Sequence, residues 1–111
     1  EELRRRGKAR SIGVSNFRLP HLEQLLPYVN RSGSTNGVAV NQVEWHLGWH
    51  DDELLAHCRR HGIVLQGYSP LGGPAGDHPA SALLDAPAVR RSAATHNVSA
   101  VQVALRWSIQ Q

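Results

Sequence analysis

The sequence predicts an α/β fold in which parallel β-strands alternate with helices. Two observations predict it: three short apolar runs suit strands buried on both faces, and stretches with the helical spacing of apolar residues follow them. Each run leads into polar residues, and in α/β barrels the side chains that bind or react gather at such strand ends. The runs and their polar ends are 12–14 with Ser15 and Asn16, 38–40 with Asn41 and Gln42, and 63–65 with Tyr68 and Ser69.

The first elements are a basic stretch and a helix. The basic residues of 4–10 surround Gly7, which is typical of a helix that ends with cations near its C-terminus. After the first strand, Pro20 suits the first turn of a helix, and Pro27 is expected to end or kink it. The apolar stripe of this helix is Leu22, Leu25, Leu26 and Val29. Residues 31–37 read as a loop before the second strand.

A second helix follows the second strand. Asp51, Asp52 and Glu53 favour its N-terminus, and Gly62 favours its end. The residues expected on its buried side are Leu54, Leu55 and Cys58, whereas His57 and His61 are expected on its polar side. Cys58 is the single cysteine, so it cannot form an internal disulfide and suits a buried thiol in a reducing compartment.

Two more helices are predicted after the third strand. Glycines and prolines in 72–79 predict a loop, and Asp85 is expected to cap a helix that ends near Asn97. Ser99 and Gln102 have the spacing of a capping box. The residues expected to face inward are Val89, Ala93 and Ala94 in the first helix and Val101, Ala104, Leu105 and Ile109 in the second. Connections of this length require parallel strands with right-handed crossovers, in doubly wound sheets and in barrels alike.

Composition and charge weigh against several classes of protein. The chain is 41% hydrophobic and 19% charged, and no apolar run approaches the ~20 residues that span a bilayer. The net charge of +3 comes from scattered basic residues without a recognised nucleic-acid module. His46 and His50, like His57 and His61, lie four apart, but no tight ligand pairs flank a loop. We expect no nucleic-acid, membrane or metal partner.

Three motifs resemble successive motifs of the aldo-keto reductases, in the family's order and at its spacing. They are residues 11–17 (SIGVSNF), 41–46 (NQVEWH) and 67–72 (GYSPLG), and residues 100–110 are similar to the helix before the family's last strand. The resemblance covers nearly the whole chain. It implies a (β/α)8 TIM barrel that reduces carbonyl groups with NADPH. Residues 1–111 would then be a C-terminal-half fragment of one barrel domain, carrying about its fifth to seventh strands.

The resemblance also implies six cofactor-binding residues. Ser15 and Asn16 hold the nicotinamide carboxamide from one side and Gln42 from another, Tyr68 stacks on the ring, and Ser69 and Leu71 lie along the pyrophosphate. The residue types suit these roles, because a carboxamide needs donors and acceptors and hydride transfer needs one covered ring face.

Structural roles are open for the same residues. Ser15 and Asn16 are also typical of a turn after a strand, and Tyr68 is typical of an aromatic residue packed in the core. Gln42, as an amide in an apolar strand, calls for either a structural hydrogen-bond network or a ligand. Glu44 suits the role of a general acid or base. Its alternatives are to pair with an arginine or to hold a neighbouring loop. The tryptophans Trp45, Trp49 and Trp107 are expected to be packing residues.

No catalytic residue is predicted in this chain. In the aldo-keto reductases the proton donor is a tyrosine assisted by lysine, aspartate and histidine from earlier strands, whereas the lysine here is Lys8 and the tyrosines are Tyr28 and Tyr68. We expect a cytoplasmic NAD(P)H-dependent oxidoreductase that acts on a small-molecule carbonyl substrate, with this chain inactive alone. NADPH is the expected cofactor, and NADH and the oligomeric state stay open. The alternative is a non-catalytic cofactor-binding or regulatory subunit of the same fold.

Overall fold

The computed structural model of the chain describes residues 1–31, 37–73 and 79–111. Its strands are β1 (Gly13–Ser15), β2 (Val40–Glu44) and β3 (Val64–Tyr68), in the order β1-β2-β3 within one sheet. β1 and β2 pair in parallel. Strands that follow one another in sequence therefore lie side by side, as in a barrel wall, and the predicted set of three parallel strands with helices is confirmed.

Six helices accompany the strands in the part of the chain that the structure describes. They are α1 (Glu2–Arg5), α2 (Leu19–Arg31), α3 (Asp52–Arg60), α4 (Ala80–Asp85), α5 (Pro87–His96) and α6 (Ala100–Gln110). The chain divides into two compact units, the first made of Glu1–Val43 and Asp51–Gln66 and the second of Glu44–His50 and Gly67–Gln111. Among the described residues, no helix has the length and apolar character that a membrane span requires.

The predicted apolar stripe of α2 supplies much of the first unit's core. Leu22 and Leu26 are buried, as are Val38, Val43, Leu54, Cys58 and Ile63. The helix does not end at Pro27 but continues to Arg31, which corrects the expected loop boundary. Pro27 lies on the exposed side, where water can bond the carbonyl that loses its partner. The remainder of the predicted loop, 32–36, lies outside the described residues.

The second strand is shifted relative to the prediction. Asn41 and Gln42 lie inside β2 rather than after it, and the burial of β2 alternates residue by residue. Asn41 and Val43 are buried on one face, whereas Gln42 is exposed on the other. The expectation that Gln42 is a buried amide was therefore wrong, and a buried polar residue is found one position earlier.

Helix α3 begins as its acidic first turn predicts. The Asp51 carboxylate accepts the Leu54 N–H at 2.9 Å, and Gly62 follows the helix with a φ of 67°. Cys58 is fully buried, as expected, but His57 is buried too. His57 lies three residues after Leu54, on the same side of the helix, so its placement on the polar side was wrong.

A glycine allows β1 and β2 to approach closely. Gly13 lies opposite Val40, and a Cβ at Gly13 would be 2.4 Å from the Val40 carbonyl oxygen. No other residue type fits there without a shift of the backbone.

The helices of the second unit begin and end partly as predicted. Asn97 ends α5 in the left-handed conformation at φ 51°, and Ser99 and Gln102 form both hydrogen bonds of the capping box at the start of α6. However, Asp85 ends α4, a helix that the sequence did not predict, and forms an ion pair with Arg90 instead of capping α5. Of the predicted loop 72–79, residues 74–78 lie outside the described part.

The inward side of α6 differs from the predicted stripe. Ala104 is buried, but Val101, Leu105 and Ile109 are exposed, and in α5 Ala94 is exposed beside buried Val89 and Ala93. The indole of Trp107 stacks on buried Trp45, with ring centroids 6.3 Å apart. Trp49 is 54% exposed, so the prediction of a packing role holds for Trp45 and Trp107 but not for Trp49.

Candidate functional site

Two of the predicted carboxamide-binding residues are partners across the first strand pair. Ser15 lies opposite Gln42 in the parallel register, so both side chains leave the sheet on the same face. The Ser15 hydroxyl donates to the Gln42 backbone carbonyl at 3.1 Å. This bond uses the hydroxyl proton and leaves the oxygen lone pairs as acceptors. Gln42 is exposed on that face and offers an amide with both donors and an acceptor.

Asn16 follows directly and turns the chain away from the strand. Its φ is 57°, a left-handed conformation that asparagine tolerates better than most residues. Its backbone N–H donates to the same Gln42 carbonyl at 2.8 Å. Ser15, Asn16 and Gln42 are thus brought together within the first unit.

A fourth residue, Asn41, supports this cluster and was not predicted as a site residue. Its side-chain amide donates to the Phe17 carbonyl at 2.7 Å and accepts the Phe17 N–H at 3.3 Å. Asn41 is fully buried, and a buried amide is stable only where its groups are bonded. The sequence signal for Asn41 was an asparagine within an apolar strand, because an amide buried there needs hydrogen-bond partners, as argued for Gln42.

A cleft opens between the end of β1 and helix α2. It has a volume of about 520 Å³. Its lining residues are Ser15, Asn16, Phe17, His21, Gln24, Leu25 and Tyr28. Ser15 and Asn16 therefore also border the cleft next to helix α2.

The other three predicted residues form a turn in the second unit. Tyr68 ends β3, and its carbonyl accepts the Trp45 N–H at 3.1 Å. Ser69 has a φ of 50°, and its carbonyl accepts the Gly72 N–H at 2.8 Å, which encloses Leu71 in a tight turn. Gly72 has a φ of 91°. Tyr68, Ser69 and Leu71 are all half-buried.

Glu44 pairs with a histidine in the second unit. Its carboxylate lies 3.0 Å from Nε2 of His46, which is fully buried, and Nδ1 of His46 accepts the Gly48 N–H at 3.1 Å. Because Nδ1 is an acceptor, Nε2 carries the proton and donates to Glu44. His46 and Trp49 exchange backbone hydrogen bonds. Glu44 therefore holds the neighbouring loop, one of its predicted roles, through a histidine rather than an arginine.

Two buried titratable groups lie on α3. Burial raises the pKa of the Cys58 thiol, a hydrogen bond from Asn41 opposes this rise, and Asp51 adds to it. Burial lowers the pKa of His57, with further lowering by His61 and Arg60 and an opposing effect of Glu23. Nε2 of His57 is buried and has no hydrogen-bond partner among the described residues.

The histidine pairs do not converge on a metal site. No cluster of three or more metal-ligating side chains occurs in residues 1–31, 37–73 and 79–111. Nδ1 of His50 donates to the His46 carbonyl at 3.2 Å, and the His50 ring contacts Trp107, whereas the rings of His57 and His61 lie 4.5 Å apart on α3.

The residues of the first unit fit an amide-bearing heterocycle. Ser15 keeps acceptor lone pairs toward an NH2 group, and the exposed Gln42 amide can bond either a carbonyl or an NH2. The pairing of β1 with β2 fixes the backbone of both residues, and the Ser15 hydroxyl is held by the Gln42 carbonyl, which favours binding in one orientation.

Comparison with known proteins places this arrangement in a family. The sequence profile described as "Aldo/keto reductase family" matches residues 1–111. The chain is 40% identical over 104 residues to Aldo-keto reductase family 4 member C11 of Arabidopsis thaliana, covering 94% of this chain and 31% of that protein. It is 40% identical over 110 residues to Glyoxal reductase of Bacillus subtilis, covering 99% of this chain and 36% of that protein.

Solved structures agree with the sequence relatives. A crystal structure of an aldo/keto reductase from Brucella melitensis matches with a TM-score of 0.78 at 35% identity, over 98% of this chain and 37% of that one. MGS-M4, an aldo-keto reductase from a deep-sea metagenome library of the Medee basin, matches with a TM-score of 0.81 at 32% identity, over the same shares. The chain spans about a third of the length of the curated relatives it matches. By sequence and by fold, the chain belongs to the aldo/keto reductase family.

Proposed function

We propose that this chain forms the nicotinamide-holding part of an NADPH-dependent carbonyl reductase, and that residues 1–111 are a fragment from the C-terminal half of its single barrel domain. The observation that carries the proposal is the pairing of Ser15 with Gln42 on one sheet face, fixed by the shared Gln42 carbonyl. Family membership supports the oxidoreductase class.

Each residue of the first unit has a defined task in this proposal. Ser15 accepts a hydrogen bond from the carboxamide NH2 group, Asn16 bonds the same group from the turn, and Gln42 bonds the carboxamide from the neighbouring strand. Two strands that hold one flat amide orient the ring without a flexible linker. When bound, the cofactor supplies the hydride.

The second unit contributes packing and backbone groups in this proposal. The phenol ring of Tyr68 covers one ring face, which confines hydride transfer to the other face. The turn from Ser69 to Gly72 presents backbone N–H groups toward the pyrophosphate, with Ser69 and Leu71 as the contact residues. A preference for NADPH over NADH, a small carbonyl substrate and a cytoplasmic location stay predictions.

The test uses the whole protein that carries this chain. We expect nicotinamide fluorescence to report NADPH binding, and Ser15→Ala to weaken it by about threefold to tenfold, the effect of one lost hydrogen bond. Ser11→Ala is the matched control, because Ser11 is an exposed serine four positions upstream. A wild-type protein that is folded and does not bind NADPH would contradict the proposal.

A turnover assay distinguishes an enzyme from the alternative, a non-catalytic cofactor-binding or regulatory subunit. An enzyme oxidises NADPH when a carbonyl substrate such as glyoxal is added, and glyoxal is chosen because of the relative named Glyoxal reductase. A protein that binds NADPH normally and turns over none of a panel of aldehydes and ketones would instead be the non-catalytic or regulatory subunit.

A further inference from the structure

The amide of Asn41 joins the second strand to the turn that carries Ser15 and Asn16. It is fully buried and bonds both backbone groups of Phe17, donating to the carbonyl at 2.7 Å and accepting the N–H at 3.3 Å. A side-chain amide that replaces a strand partner in this way fixes two backbone groups at once.

The surroundings of Asn41 leave it little freedom to move. The thiol of Cys58, which is also fully buried, interacts with the Asn41 amide from α3. The amide is therefore held by partners from two sides, and its loss would leave the half-buried Phe17 carbonyl and N–H without these two bonds.

The two hydrogen bonds between Asn41 and Phe17 also constrain the preceding residues, Ser15 and Asn16. Asn16 has a left-handed φ of 57°, and its N–H bonds the Gln42 carbonyl, which also accepts the Ser15 hydroxyl. The Asn16 turn is thus anchored by Gln42 on its N-terminal side and by Asn41 on its C-terminal side. A left-handed residue persists where the surrounding bonds fix it.

On the proposed function, we infer that Asn41 is a positioning residue: its amide fixes Phe17 and thereby presents Ser15 and Asn16 to the nicotinamide carboxamide. Asn41 itself does not contact the cofactor. Its loss should therefore weaken the binding of the nicotinamide end and leave the binding of the adenosine end unchanged.

The experiment compares two ligands on the whole protein that carries this chain. NADPH has the carboxamide, whereas 2′-phospho-ADP-ribose lacks the nicotinamide ring. Asn41→Asp keeps an acceptor for the Phe17 N–H but removes the donor to the Phe17 carbonyl. We expect it to weaken NADPH binding by about tenfold and 2′-phospho-ADP-ribose binding by less than about twofold.

Val43→Ala is the matched control. Val43 is buried on the same face of β2 but has no amide to bond Phe17. We expect it to lower stability while keeping the wild-type ratio of the two affinities. If Val43→Ala changes that ratio as much as Asn41→Asp does, the effect is general destabilisation and the inference is wrong.

The remaining outcomes separate this inference from the proposed function. If wild-type protein binds both ligands equally well, the carboxamide contributes nothing and the proposed function fails. If wild type prefers NADPH and Asn41→Asp keeps the full preference, only the positioning role fails. Should the variant not fold, hydrogen exchange at the Phe17 amide of wild type decides: NADPH should slow it more than 2′-phospho-ADP-ribose, and equal rates overturn the role.

Discussion

Single residues in this chain act mainly by fixing the backbone. The Gln42 carbonyl accepts bonds from both Ser15 and Asn16, and the Asn41 amide bonds both backbone groups of Phe17. The family motifs singled out Ser15, Asn16 and Gln42 as candidate cofactor-binding residues from residue type and spacing. Their hydrogen bonds were not predictable, because they depend on the register of β1 with β2, which a list of motifs does not contain.

His57 makes the stability of the first unit depend on pH. Because burial lowers its pKa below the usual 6.5, the unfolded chain binds a proton near that pH that the folded chain does not. The stability that the neutral ring contributes is present above pH 6.5 and is lost as the pH falls through the folded pKa. We expect the free energy of unfolding to fall as the pH is lowered below 6.5, measured by urea denaturation.

Substitutions isolate this titration. His57→Gln, which cannot titrate, should show a smaller loss of stability over the same pH range. His96→Gln is the control, since His96 lies exposed near the end of α5 and should leave the pH dependence unchanged. An unchanged slope in His57→Gln would exclude His57 as the source.

At the scale of elements, local signals predicted the starts of α3 and α6 but not the start of α5 or the end of α2. Asp51 caps α3, and Ser99 with Gln102 forms the capping box of α6, because a cap is satisfied by residues three positions away. The strand β2 was placed too early because its apolar run was read as the whole strand. The prediction of the inward side of α6 was wrong as well, since that side depends on contacts with other elements, among them the stacking of Trp107 on Trp45, and not on the apolar stripe alone.

Because β1 and β2 approach closely at Gly13, adding one methyl group there is expected to lower the free energy of unfolding strongly. Gly13→Ala places a Cβ 2.4 Å from the Val40 carbonyl oxygen, so the strand pair must separate. We expect a loss of about 1–3 kcal/mol in the free energy of unfolding, the range for overpacking. Because β1 carries Ser15, NADPH affinity should fall in the same variant.

The control for this variant is Gly7→Ala. Gly7 has a φ of 68° and open space around its Cβ position, so the substitution strains the backbone without a steric clash. It should cost about 1 kcal/mol and leave NADPH affinity unchanged. Equal losses in both variants would show that the contact with Val40 carries no special weight.

At the scale of the whole molecule, the described part of the chain exposes large apolar side chains and one face of the sheet. One face of β2 is exposed at Gln42, Val64 at the start of β3 is 63% exposed, and Ile109 of α6 is 74% exposed. A three-stranded sheet also has two edge strands, here β1 and β3. The fold class was predictable from the alternation of apolar runs and helical stripes, whereas the surfaces of α6 depend on contacts between distant elements.

We therefore expect the 111-residue chain alone to bind NADPH weakly or not at all. The residues that we propose to hold the carboxamide are present, but the cofactor would be left open to water along the exposed sheet face. Fluorescence titration of the isolated chain checks this. Dissociation in the low-micromolar range with a quenched nicotinamide signal would prove the expectation wrong.

The central claim, that Ser15 and Gln42 hold the nicotinamide carboxamide, is tested most directly by transplanting residues 1–111. In this graft, residues 1–111 replace the matching 36% of Glyoxal reductase of Bacillus subtilis. The measurement is the NADPH dissociation constant of the folded graft with and without Ser15→Ala and Gln42→Ala. We predict binding by the graft and a loss of at least about tenfold in the double variant, since two hydrogen bonds are removed. Equal affinity of the graft and its double variant would contradict the claim.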